Sequence, residues 1–223
     1  MSVFTEYDTK WFNLLSPEHQ QRVTQDVIVT TVHPGAMIEQ KGSKAQYWIG
    51  VLEGLIKVSV GNADGRITSL TGVPPGGWFG EGSLLKKERL RYDIFALHES
   101  KIAKLPLFTF EWLLDNSIPF NRFMLNQLNE RVSQFIGRTE NDRLLDADGR
   151  VGSCLIELFN PKLYPNASAR LTITQEEIGY LARVSRQRTN IALRKLESLG
   201  LIQVGYGYIQ ILNLDKLIER YKN

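Results

Sequence analysis

The stretch ITQEEIGYLARVSRQRTNIALRKLESLGLIQVGYGYIQIL, residues 173 to 212, leaves the chain less conformational choice than any other part. Thr174 followed by Glu177 is a T-x-x-E capping box, in which hydroxyl and carboxylate each satisfy a backbone N–H at a helix start. A helix therefore opens here and turns Ile178, Leu181 and Ala182 inward. Ser185 follows shortly as a second cap, so two helices are joined by a tight turn. The second helix buries Thr189, Ala192, Leu193, Leu196 and, past its end, Leu199, and Gly200 stops it. Leu201 to Val204 and Tyr208 to Ile211, joined by Gly205-Tyr206-Gly207, form a hairpin placed like the wing of a winged helix.

Upstream, up to about residue 108, the texture is different. Turn residues at 33 to 35 (HPG), 41 to 43 (KGS), 52 to 54 (LEG), 61 to 65 (GNADG) and 73 to 83 (VPPGGWFGEGS) separate short runs rich in valine, isoleucine and aromatics. Tyr47, Ile49 and Val51, and the run from Leu55 to Val60, alternate with period two, the pattern of half-buried strands. Asp64-Gly65 between Val60 and Ile67 reads as a hairpin loop. Strands at this spacing predict an all-β barrel or roll. Pro106 and Pro119 then bracket a short helical piece, and residues 121 to 148 run on without proline. Along them Leu125, Leu128, Val132, Phe135 and Thr139 follow alternating steps of three and four, a coiled-coil seam that argues for a dimer. The alternative is an amphipathic helix packed on its own barrel, and polar Asn121 and Asn126 weaken the seam. A further helix, RVGSCLIELF, is stopped by Pro161. The expected fold is α+β: an N-terminal jelly-roll-like β-roll (a double-stranded β-helix) over 1–110, a long dimerisation helix over 111–146 and a C-terminal winged helix-turn-helix over 147–223.

Charge gives these parts different partners. The chain carries a net +3, but residues 143 to 223 hold +4 and residues 1 to 142 hold −1. Arg183, Arg186, Arg188, Arg194 and Lys195 lie in a stretch without any acid, the footprint of a surface that meets phosphates. With Thr189, Leu193 and Leu196 inward, Arg186, Gln187 and Asn190 are left on the opposite face near the helix N-terminus, the end that enters a major groove. Arginine pairs bidentately with guanine, and glutamine and asparagine suit adenine. Ser185, Arg188 and Lys195 are placed for phosphates, and Thr174 is grouped with them at the start of the preceding helix. Double-stranded DNA is the expected partner.

These residues carry a resemblance. The segment from Ile173 to Ile202 resembles the helix-turn-helix of the Crp/Fnr family of bacterial transcription regulators, matching its pattern at Ile178, Gly179, Ser185, Arg186, Leu193, Leu196 and Glu197. HPGAMIEQKG, YWIGVLEGLIKV and GGWFGEGSLL look like the effector-domain β-roll of the same family, so the resemblance spans nearly the whole chain. Three positions depart from the pattern: Arg183 stands where the family has its turn glycine, Gln187 where it usually has an acid, and Ile191 where it has a later base-contacting arginine.

The resemblance implies an effector site at Gly80, Glu81, Gly82, Ser83, Arg91 and Tyr92. In the cyclic-nucleotide branch the glutamate takes the ribose hydroxyl, and an arginine with a neighbouring small hydroxyl neutralises the cyclic phosphate. Here Arg91 stands in the arginine's place, but Tyr92 replaces the small residue and would fill space that a phosphate needs. The positions where the cyclic-AMP binders offer hydroxyls to adenine fall near Phe135 and Ile136. The expected effector is thus an unknown small molecule other than cyclic AMP; Glu81 and Arg91 pairing with each other is the purely structural alternative. A cyclic-AMP-dependent regulator and a ligand-binding module whose winged helix docks a protein are the other readings.

Other chemistries fit poorly. One cysteine, Cys154, excludes an intramolecular disulfide, a cysteine-ligated cluster and a multi-cysteine zinc site, and reads as a buried small hydrophobe. His19, His33 and His98 are isolated and read as surface or turn residues, so no metal or haem is expected. No nucleophile elbow or close carboxylate pair points to an enzyme, and no catalytic residue is assigned. The N-terminus lacks a secretory signal pattern and no apolar run approaches a bilayer span, so the expected location is the cytoplasm with no membrane partner; RNA polymerase is an expected partner of a regulator.

Overall fold

The computed structural model describes residues 3–7, 9–61 and 67–221. In chain order the elements are α1 (Val3–Glu6), α2 (Lys10–Asn13), α3 (Pro17–Asp26), β1 (Ile28–Val32), β2 (Met37–Glu39), β3 (Tyr47–Glu53), β4 (Ile56–Gly61), β5 (Ile67–Val73), β6 (Trp78–Phe79), α4 (Glu81–Leu85), β7 (Asp93–Ala96), β8 (Ser100–Pro106) and α5 (Leu107–Asn116). They continue as α6 (Ile118–Leu144), α7 (Ala147–Leu158), β9 (Arg170–Thr172), α8 (Gln175–Ala182), α9 (Arg186–Ser198), β10 (Ile202–Gly205), β11 (Tyr208–Ile211) and α10 (Leu214–Tyr221).

β1 to β8 form two four-stranded antiparallel sheets, ordered β1-β8-β3-β6 and β2-β7-β4-β5, but β3 is buried on both faces rather than half-buried as its alternation predicts, because helices cover its outer side. Their inner faces meet through Ile49, Val51, Ile56, Val58, Val73, Ile94 and Ile102, the interior of a β-roll. The hairpin loop expected at Asp64-Gly65 lies outside the described residues. The outer face of the first sheet is covered by α1, α2 and α5 through an aromatic cluster in which Trp48 lies 4.5 Å from Trp78 and 5.0 Å from Trp11.

Ser117 caps α6 by accepting from the Phe120 N–H, and Pro119 sits in the first turn where its missing donor costs nothing. The helix then runs 27 residues. One side packs on the roll through Phe120, Met124 and Gln127, while Leu125, Val132, Phe135 and Ile136 remain exposed. The helix thus packs on its own roll along one side and leaves an apolar face uncovered on the other. Asn121 is spent on the preceding helix end, its side-chain amide donating to the Leu114 and Ser117 carbonyls.

Asp146 caps α7, and α7 to α10 with the β10-β11-β9 sheet enclose a separate apolar core around Leu155, Ile178, Leu193 and Ile202. Cys154 is buried in it, as its sequence context predicts. Leu199 is not: it sits at the C-cap of α9 and is exposed, because the chain turns away at Gly200 before the core is reached.

Candidate functional site

The helix-turn-helix is built by its caps. The Thr174 hydroxyl accepts from Glu177 N–H at 3.2 Å and the Glu177 carboxylate accepts from Thr174 N–H at 2.6 Å, both halves of the capping box. Burial alone would raise the Glu177 carboxyl, but the His98 imidazole beside it and the hydrogen bonds with Thr174 outweigh it and hold it below the usual carboxylate range. His98, expected at the surface, instead faces Glu177 at 3.5 Å and joins the roll to the start of α8. Arg183 adopts φ 55°, ψ 42°, the left-handed conformation the turn demands in place of a glycine, and its guanidinium pairs with Asp142 on α6. Gly179 is required by contact: a Cβ there would come 2.9 Å from the Val184 carbonyl oxygen and 3.0 Å from the Thr189 hydroxyl.

Ser185 caps α9 by accepting from Arg188 N–H at 3.4 Å. Thr189, Ala192, Leu193 and Leu196 are buried below it. Arg186, Gln187 and Arg188 are exposed on the first turn, and none has a side-chain partner among the described residues. Two other residues singled out by spacing are engaged within the chain. The Asn190 amide donates to Gln175 at 2.7 Å, and Lys195 pairs with Asp148 at 2.8 Å. Thr174 is exposed, yet its hydroxyl already serves as a cap. In the wing, Arg170 stacks over the Tyr208 ring at 3.6 Å, and Tyr206 at the hairpin tip is fully exposed.

Inside the roll, Gly80 begins α4 with φ 98°, a conformation suited to glycine, and turns Glu81 inward. Glu81 is 3% exposed, and Arg131 of α6 donates to it at 2.7 Å and also to the Trp78 carbonyl. Burial by itself disfavours the Arg131 cation, but Glu81 and Tyr164 beside it more than offset this and hold it above the ordinary arginine value. The second Glu81 oxygen is buried with no partner among the described residues. Ser83 is buried next to it, Gly82 leaves open space, and the Tyr92 phenol, bonded to Ser83, is pushed up to about 12 by burial and then by Glu81. Arg91 departs from its expected place: it is exposed and pairs outward with Glu88 at 2.8 Å. The Glu81–Arg91 pair is therefore replaced by Glu81–Arg131, a partner that sequence spacing gave no means of finding.

A β-roll joined by a long helix to a winged helix-turn-helix with an open cationic first turn is the architecture of a DNA-binding regulator. Family comparison agrees with that class. A family described as "Cyclic nucleotide-binding domain" matches residues 29–117, and one described as "Crp-like helix-turn-helix domain" matches residues 149–220. The transcriptional regulator SdrP of Thermus thermophilus is 27% identical over 172 residues, covering 76% of this chain and 81% of SdrP. The cAMP-activated global transcriptional regulator CRP of Pasteurella multocida is 28% identical over 164 residues, covering 72% of this chain and 78% of its own. The structure of FixK2 from Bradyrhizobium japonicum superposes with a TM-score of 0.72 at 16% identity, over 88% of this chain and 98% of that one, a likeness of fold. The chain belongs to the Crp/Fnr family, whose members are transcription regulators and not enzymes. No helix among the described residues is long and apolar enough to cross a membrane.

Proposed function

We propose that the protein is a homodimeric, cytoplasmic transcription regulator that reads a two-fold-related operator with α9 and answers to a small effector, other than cyclic AMP, held in the β-roll. The observation that carries the DNA-reading half is the open first turn of α9. Arg186, Gln187 and Arg188 project from a capped helix N-terminus with their polar groups unspent, so they are free for base edges and phosphates. Lys195, Asn190, Ser185 and Thr174 stand around that turn; engaging the first two means exchanging an internal partner for DNA. Dimerisation through Leu125, Leu128, Val132, Phe135 and Thr139 would set two such helices about 34–36 Å apart, and RNA polymerase is the partner a bound regulator addresses.

Two features disfavour cyclic AMP. Arg91 turns out toward Glu88, and the Tyr92 phenol is lodged beside Glu81 and Ser83 where a phosphate would need donors. Domain limits of 1–110, 111–146 and 147–223 fit this division of labour.

Fluorescence anisotropy on duplexes from the region upstream of the gene, with and without cyclic AMP and at two salt concentrations, tests the reading. Binding should fall steeply with salt and ignore cyclic AMP. Arg186→Ala should cost about 1–3 kcal/mol on the specific site and relax preference at one base pair. Salt-independent binding, or an unchanged specificity profile in the variant, would remove Arg186 as a reader.

A further inference from the structure

The connection from α7 to β9 runs over the surface at Pro161, Lys162, Ser168 and Ala169, as connecting segments ordinarily do, but dips inward in its middle. Leu163 and Tyr164 are each 1% exposed, and both lie in the same apolar cluster as Ile49, Val51, Ile56, Val58, Val73, Ile94 and Ile102, the inner walls of the roll. A piece of the DNA-binding half thus shares the apolar core of the sensing half. The Tyr164 hydroxyl points to the Gly72 carbonyl at 3.4 Å and lies beside Arg131, the partner of Glu81. Its ring needs the bare backbone of Gly77, where a Cβ would come 2.8 Å from a ring carbon.

The segment is latched on both sides. Asn160 donates to Glu130 of α6 at 2.9 Å and Lys162 pairs with the same carboxylate at 3.3 Å. On the roll side the Asn166 backbone closes on Gly76, where a Cβ would stand 2.7 Å from its nitrogen. The same contact continues into the helices: Leu158 of α7 and Leu181 of α8 meet Gly72 of β5, and His98 meets Glu177 at the start of α8. Insertion of Tyr164 and docking of the helix-turn-helix on the roll are one arrangement.

We propose that Tyr164 is a tethered internal ligand of the roll, and that a small aromatic molecule bearing a hydroxyl competes for its place and releases the DNA-binding half from the roll. This rests on the reading that the roll senses a small molecule. The chemistry follows from what the protein itself puts there: apolar walls around a ring, with polar groups at one end. Those groups are the Glu81–Arg131 pair, whose second carboxylate oxygen is buried and unpartnered among the described residues and can accept from a hydroxyl. Because the tether gives Tyr164 an effective concentration of order millimolar, a free competitor must be present at comparable strength or bind better. Ligand and docked helix-turn-helix exclude each other, so occupancy of the roll becomes freedom of α9 to take its place in a dimer on DNA.

The test uses the full chain, p-cresol as the probe and cyclic AMP as a control. Hydrogen exchange of residues 159–169 and calorimetric binding of p-cresol are followed in wild type, Tyr164→Ala and Tyr164→Phe. Tyr164→Ala should bind p-cresol at least tenfold more tightly than wild type and exchange its 159–169 amides at least tenfold faster, whereas Tyr164→Phe, which keeps the ring, should stay near wild type. Equal p-cresol affinity in wild type and Tyr164→Ala, or unchanged protection of the segment in the alanine variant, overturns the proposal. If Tyr164→Ala does not fold, wild type decides: rising p-cresol must speed exchange of 159–169, and no acceleration overturns it. DNA anisotropy on the same samples separates the two levels. Wild type that binds DNA while its segment ignores p-cresol defeats only this inference, and wild type that binds no duplex defeats the regulator reading beneath it.

Discussion

Replacing Phe135 by glutamate tests the α6 face most sharply, because the side chain projects from the protomer without supporting its core. Phe135 is 51% exposed, and Leu125, Val132 and Ile136 are 68%, 54% and 64% exposed on the same stretch of helix. Full burial of such a side chain is worth about 1.5–3 kcal/mol, so covering the remaining half of each contributes ~1 kcal/mol. Eight of them across a dimer give on the order of 6–12 kcal/mol, against an association cost of ~4–15 kcal/mol. The surplus is small, and one position counted twice matters. Phe135→Glu in both protomers should remove about 1.5–3 kcal/mol of burial, a 10- to 100-fold weaker dimer, before the repulsion of two carboxylates across the two-fold axis is added. Sedimentation equilibrium reads the dissociation constant, and far-UV circular dichroism should show an unchanged protomer, since exposed substitutions shift stability by only about 0.5 kcal/mol. An unchanged dimer constant in the variant would show that this face is not the contact.

Thr174→Ala deletes one half of the capping box and should lower the stability of residues 149–220 by about 0.5–2 kcal/mol, read as faster hydrogen exchange in α8 and a lower urea midpoint; no change would mean that the box is dispensable. The Cys154 thiol, pushed up to about 12 by burial, should resist a disulfide reagent at pH 8 and react only after urea is added; reaction in the folded protein would contradict its place in the core. Tyr92 has a folded pKa of about 12 against 10.0 unfolded, so the fold favours its protonated form. That contribution is complete below pH 10 and is lost as pH rises from 10 toward 12, and Tyr92→Phe should flatten stability across this window.

The legible parts of the fold were those written in local chemistry. Thr174, Glu177 and Ser185 fix helix starts through bonds that reach only three residues, and period two in Tyr47, Ile49 and Val51 places strands without knowledge of their partners. What stayed hidden depends on distant contacts. Arg131 meets Glu81 only because α6 crosses the mouth of the roll, and Tyr164 enters the roll only because the helix-turn-helix docks there. Neither contact leaves a spacing to read. Asn190 and Lys195 show the same limit on the proposed DNA-facing surface: helix geometry assigns them a face, but not the internal partners Gln175 and Asp148 that occupy them. Leu199 fits the apolar step of α9 and is still exposed, since periodicity does not mark where the core ends.

The most direct test of the central claim is selection of bound duplexes from a random library by the full-length protein, followed by sequencing. An enriched two-fold-symmetric site is expected, with half-sites about 10–10.5 base pairs apart, centre to centre, or a multiple of that spacing, and base preference at the position read by Arg186 lost in Arg186→Ala. No enriched sequence, or a single half-site without symmetry, would contradict a dimeric regulator that reads DNA through α9.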